Sequence, residues 1–192
     1  MMAALACGRS KTGGFSACEL NILNGTDSIM RVLTIEDSLD NVVLRAASHD
    51  FSLEELMSDE FKKLERMMIA TVTHPSQDGV GIAGPQVGLN RRIVAVQRFD
   101  KEGEPFEVYA NVRIVWMSDS LACGPEGCLS VPDRRGNVLR SQQIVIEYAD
   151  LASLSHSCDD IPMARDTVSG FTAVIFQHEI DHLEGVLYID RL

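Results

Sequence analysis

The chain has 192 residues, 45% hydrophobic and 23% charged, which suits one domain with a sizeable core and excludes a chain disordered as a whole. A formal net charge of −11 repels phosphate backbones and anionic headgroups, so the chain is not expected to bind nucleic acid by itself. No apolar run approaches the roughly 20 residues of a membrane helix, and five widely spaced cysteines do not make a disulfide framework.

Such cysteine usage points to a reducing, cytoplasmic setting. Ala4-Leu5-Ala6-Cys7 also has the form of a truncated lipoprotein signal; a meaningless Ala/Leu start reads equally well, which leaves the membrane side open. Residues 1–28 are rich in small and polar residues without periodicity and are expected to form a loosely ordered extension, with residues 29–192 as a single domain.

Met30 to Ile35 reads as a short first strand. Ser52 with Glu55 has the form of a capping box, and Leu53, Leu56, Phe61, Leu64, Met67, Met68 and Val72 then recur at helical spacing until Pro75, with a break near Ser58. From Gly79 to Gly88, four glycines and Pro85 mark a loop of special backbone geometry. Arg92–Gln97, Phe106–Ala110, Arg113–Met117 and Gln143–Tyr148 read as strands, and hydrophilic Ser153–Asp166 as a surface loop. A last helix is expected from about Gly170 to Leu183, ended by Gly185. Short strands followed by one late helix predict an α+β domain.

Chemistry concentrates in three stretches. In Gln177-His178-Glu179-Ile180-Asp181-His182 the histidines stand four apart, so one helix face can aim both at a single metal ion, and Glu179 can act as general base on water activated there. Asp181 on the same helix could orient a neighbouring group, or could simply be an exposed aspartate. A third ligand is available in Gly124–Pro132, where Cys128 lies near a turn; a Cys-His-His set leaves a tetrahedral position open for water. A lone cysteine is more often a small buried hydrophobe, and Cys123 competes for the role, so composition does not choose between the thiols. Gly79–Gly88 lacks the Lys-Ser/Thr of a phosphate loop, whereas its glycines let a backbone approach a ligand and Gln86 can offer an amide donor to an oxyanion. Phe171, Val174 and Ile175 share the face of His178 and with Val80 could line an apolar pocket, although such a stripe is more often core.

Together the three stretches resemble the signature motifs of the peptide deformylase family, G-x-G-x-A-A-x-Q-x-G, E-G-C-L-S and Q-H-E-x-D-H, in the family's order, and the third continues through Leu183–Tyr188. The resemblance spans roughly residues 29–192. It implies antiparallel β-sheets packed around a C-terminal helix carrying His178 and His182, and an enzyme that removes the formyl group from the N-terminal formylmethionine of new polypeptides. It further implies one ferrous ion per chain, replaceable by zinc or nickel, held by Cys128, His178 and His182. Glu179 would be the catalytic acid/base, and Gln86 and the Leu129 N–H the oxyanion donors. Gly81 would bind substrate backbone, while Glu126 and Arg135 match positions that hold the active-site loop. Gly84 departs from the family's alanine, a change expected to be tolerated and to loosen the loop. The partners implied are N-formylmethionyl peptides. A transient ribosome contact stays open, because the helix through which some members dock would lie beyond Leu192.

Three rivals remain at this point. A zinc peptidase would take Glu184 as its third ligand, off the histidine face. A structural site would add Cys123 as a fourth ligand and leave no room for water. A deformylase that binds without turnover is opposed by the intact Gln86, Cys128 and Glu179.

Overall fold

The computed structural model describes residues 14–25, 29–77, 79–156 and 160–192, so the Ala4–Cys7 reading lies outside them. Four helices precede the first strand: α1 (Ala17–Leu23), α2 (Ser38–Leu44), α3 (Leu53–Met57) and α4 (Asp59–Val72). Ser52 and Glu55 form the predicted capping box at α3, and Ser58 both ends α3 and caps α4, which is the physical cause of the break. Residues 14–25 differ from the expected loose extension. Ser16 and Glu19 cap α1, Glu19 accepts from Arg91 Nε at 2.5 Å, and Leu23 is buried in the core beside α4. The order comes from long-range partners that local composition does not contain.

Met30 to Ile35, expected as a strand, joins no sheet, and Ile35 already lies in a turn. Its backbone instead links two loops, Leu33 N–H donating to Gln86 O (2.8 Å) and Ile35 N–H to Ser130 O (3.0 Å).

The first sheet is antiparallel, with β1 (Gly81–Ala83), β2 (Ile93–Gln97) and β3 (Phe106–Ala110) in that order. The second places β4 (Arg113–Met117) and β8 (Met163–Ser169) on either side of β7 (Gln143–Ala149). Between β4 and β7 in sequence, β5 (Leu121–Cys128) and β6 (Val131–Ser141) form a separate hairpin. This hairpin was not expected from its sequence, where Gly, Pro and charged residues mask alternation. The expected loop Ser153–Asp166 is shorter than read, since Met163–Asp166 already belong to β8.

Helix α5 (Gly170–Leu183) follows β8 and ends, as expected, before Gly185, which adopts a φ of +71°. Eleven of its fourteen residues are buried, so it is enclosed on all sides, packing on β1 and β2 and also on β6, β7 and β8. One core lies between α1, α3, α4 and the first sheet, and a second surrounds α5. The buried Arg98 guanidinium ties the two sheets together, donating to Asp100 (2.8 Å) beyond β2 and to Asp166 (2.9 Å) on β8.

Gly84 opens a short 3-10 turn, Gly84–Val87, that presents Gln86. A Cβ at Gly84 would stand 2.6 Å from the Arg91 carbonyl oxygen and 2.8 Å from that of Leu89. The glycine therefore permits close backbone packing here and does not loosen the loop, contrary to expectation. Gly84→Ala should lower the thermal midpoint by about 5 °C, the scale of a 1–3 kcal/mol overpacking strain in a chain this size. A scanning-calorimetry midpoint equal to or above wild type would contradict this packing.

Candidate active site

α5 carries five buried polar side chains in a row of six positions: Gln177, His178, Glu179, Asp181 and His182. Burial on this scale is costly unless each finds a partner. Gln177 exchanges hydrogen bonds with the Ser141 backbone, accepting from its N–H (3.0 Å) and donating to its carbonyl (2.9 Å). Asp181 accepts from Arg140 (2.6 Å) and Arg191 (2.5 Å). His178 Nδ1 stands 2.8 Å from Glu126 Oε2. Two atoms are left over: Glu179 Oε2 and His182 Nδ1 are buried without a partner among the described residues. A fold tolerates such atoms chiefly at functional sites.

The hairpin brings the thiol. Cys128 Sγ lies 3.2 Å from His182 Nε2, and the donor atoms of Cys128, His178 and His182 all fall within 4.8 Å of one another. A register shift between Gly127 and Cys128 bends the end of β5 at this point. Cys123, in contrast, is exposed, faces Leu139 in the ladder and lies outside the group, which removes the four-ligand structural reading.

Sulfur and imidazole donors suit a divalent transition metal, and the surroundings fit one. The His178 Nδ1–H donates to Glu126, which leaves Nε2 for a ligand bond. Burial pushes His182 well below its ordinary range and keeps it neutral, the ligating form. Burial would also lower His178, but hydrogen bonds to Cys128 and Glu126 and the nearby Glu179 charge raise it to about 10. Negative charge strong enough to hold a proton there equally favours a cation in its place. Glu126 would be raised by burial, yet the Arg140 guanidinium and His178 hold it down at about 2, a fixed anion. Burial pushes Glu179 the other way, up to about 7.

Gln86 is clamped from both ends. Its Oε1 accepts from Ala83 N–H (2.8 Å), so its Nε2 faces Ser130 Oγ (3.2 Å) and Cys128 Sγ (3.5 Å). A Cβ at Gly81 would come 2.5 Å from Glu179 Oε1, so this glycine makes the space that the carboxyl occupies.

A cleft of about 850 Å³ opens onto these groups. Val80, Gly81, Gln86, Leu129 and Ile175 line it together with Cys128, His178 and Glu179. Phe171 also lines it but is 56% exposed and meets Phe99 at a tilt (centroids 5.3 Å, planes 47° apart), so it stands at the mouth. Val174 is half-buried and not among the lining residues. Arg135 lines the mouth from β6. Glu126 lines the cleft as well, but both its oxygens are taken by Arg140 and His178, so it serves the site's framework.

Sequence reasoning missed Arg140, Ser130 and Tyr188. Tyr188 stacks on His178 with centroids 5.9 Å apart. Arg140 is one of three arginines on β6, and nothing local marks it as the buried one. Standing five residues beyond Arg135, it carries no spacing signal; only the hairpin register, which sets Ala122 opposite it, brings it over α5.

The family model described as polypeptide deformylase matches residues 29–192. The chain belongs to the polypeptide deformylase family. The peptide deformylase of Leptospira biflexa is 38% identical over 161 residues, covering 80% of this chain and 84% of its own length. Peptide deformylase 2 of Gloeobacter violaceus is 39% identical over 157 residues, 81% of this chain and 76% of that one. Among solved structures, the Met-Ala-Ser-bound class I type b peptide deformylase of Acinetobacter baumannii superposes with a TM-score of 0.70 at 32% identity, covering 85% of this chain and 98% of that one. The deformylase of Thermotoga maritima gives 0.71 at 30% identity, covering 85% and 97%. The α+β arrangement of antiparallel sheets about the late helix is thus that of known deformylases, and membership removes the zinc-peptidase reading.

If Arg140 neutralises the Glu126 and Asp181 carboxylates, Arg140→Met should cost about 3–5 kcal/mol, the scale for a buried pair stripped of one partner. Urea unfolding reads this directly, and a midpoint within error of wild type would contradict the framework described.

Proposed function

We propose that the chain hydrolyses the formyl amide of N-terminal formylmethionine at a divalent ion, with iron(II) the native metal and zinc or nickel its substitutes. The observation that carries this reading is the donor-less Glu179 carboxyl oxygen, buried beside the thiol and two imidazoles of Cys128, His182 and His178. Those three residues would hold the ion, which when bound supplies Lewis acidity to activate water and polarise the formyl group.

The chain's own groups account for the remaining chemistry. Glu179, raised to about 7 by burial, can take a proton from attacking water and hand it to the departing methionine amine at neutral pH. Gln86 Nε2, oriented by the bond from Ala83 to its Oε1, and the Leu129 N–H receive the charge that develops on the formyl oxygen; losing one such donor costs about 10²–10³ in rate. Ile175 and Val80 form the apolar wall for the methionine side chain, Gly81 offers its backbone to the peptide, and Arg135 borders the exit. The Met-Ala-Ser complex of the Acinetobacter baumannii relative supports a methionyl peptide as occupant of this kind of cleft. No helix among the described residues is long and apolar enough to cross a membrane, and a cytoplasmic site of action beside the ribosome fits the substrate. Residues 29–192 form the catalytic domain in this reading.

Glu179→Ala should keep its metal but release formate from formyl-Met-Ala-Ser slower by several orders of magnitude. Normal turnover in that variant would refute the assigned role. Ile175→Trp should raise KM for formylmethionyl peptides with little effect on kcat, and an unchanged KM would remove Ile175 from the methionine wall.

A further inference from the structure

All but three of the described arginines are ion-paired; the exceptions are Arg66, Arg134 and Arg135. Two of these three stand side by side on β6 at the mouth of the catalytic cleft. In a chain of net charge −11, carboxylate partners are abundant, so adjacent arginines without one are conspicuous. Asp133 precedes them with a left-handed φ of +57° and forms no ion pair with either. Both guanidinium-bearing residues are exposed and lie toward the thiol end of the hairpin. Arg135 is paired in register with Gly127, the neighbour of Cys128, and its side chain crosses that glycine, with Cγ 3.6 Å and Nε 3.9 Å from where a Cβ would be.

A peptide whose formyl group sits at Cys128, His178 and His182 must leave through this mouth, advancing about 3.3 Å per extended residue. Its second to fourth residues then pass the arginines. Guanidinium groups bind carboxylates in a planar, two-pronged geometry, and they repel lysine and arginine side chains. At contact distance the local pair acts within one Debye length, about 10 Å at 0.1 M salt, whereas the chain's dispersed negative charge is largely screened there.

We propose that Arg134 and Arg135 make the cleft select substrates with an acidic side chain among the three residues after formylmethionine. This rests on the deformylase reading of the same cleft. The preference resides in KM, since the arginines touch the peptide and not the reacting amide.

The test is formate release from C-terminally amidated formylmethionyl pentapeptides carrying Asp, Ser or Lys in turn at the second, third and fourth positions. Amidation removes the terminal carboxylate, so any preference comes from the side chain. At one or more positions, kcat/KM for Asp should exceed that for Lys by about fivefold at low salt, as expected for one exposed attraction replaced by one repulsion. The gap should lie in KM and shrink at 0.5 M salt. Arg134→Glu should bring the ratio near parity, because the new carboxylate offsets Arg135, and Arg134→Lys should retain most of it. Equal kcat/KM for all three residues at every position, or a preference unchanged in Arg134→Glu, would overturn this proposal alone. Absence of formate from every peptide would overturn the deformylase reading with it.

Discussion

The Glu126 carboxylate, buried between the Arg140 guanidinium and His178 Nδ1, joins the hairpin that carries the thiol to the helix that carries the imidazoles. Glu126 and Cys128 are two residues apart on β5 and both reach groups on α5, and past the register shift at Gly127 the ladder resumes with Cys128 opposite Val131. The same carboxylate fixes the His178 tautomer. Arg140 extends the connection to Asp181, one turn along α5, and Asp181 reaches Arg191. The thiol and imidazole donors therefore meet because a chain of charge-assisted hydrogen bonds sets the hairpin against the helix, and not because any short peptide preorganises them.

α5 pays for its position with polar groups in the middle of the fold, and the accounting identifies the site. Among the described residues, Gln177, His178 and Asp181 on it find protein partners, while one oxygen of Glu179 and one nitrogen of His182 are buried without one. Burial acts oppositely on two neighbouring carboxyls: Glu126, matched by a guanidinium, stays a fixed anion near pKa 2, while Glu179, without such a partner, rises to about 7. Carboxyls so separated suit the two tasks of the proposed reaction, one to hold His178 and the other to move a proton.

The sequence made the helices and the chemistry legible for different reasons. α3, α4 and α5 follow from caps, helical spacing and terminating glycine, all local signals. His178, Glu179 and His182 follow from one helix turn, and the resemblance of three ordered motifs chose Cys128 over Cys123. The β5–β6 hairpin was hidden because its residues lack alternating hydrophobicity, one face being spent on Glu126, Arg140 and the site. α1 was hidden because Glu19 finds its order in Arg91, far along the chain. The crowding at Gly84 was hidden because it comes from the Leu89 and Arg91 carbonyls. Register and long-range pairing are the information that spacing cannot carry.

The central claim is that Cys128, His178 and His182 hold one catalytic metal ion. Chain purified without oxygen should contain one equivalent of iron by mass spectrometry and release formate from formyl-Met-Ala-Ser, and Cys128→Ala should lose both together. A cobalt-substituted sample should show the thiolate-to-metal absorption band, and the Cys128→Ala variant should lack it. Stoichiometric metal and the same band in Cys128→Ala would contradict the account.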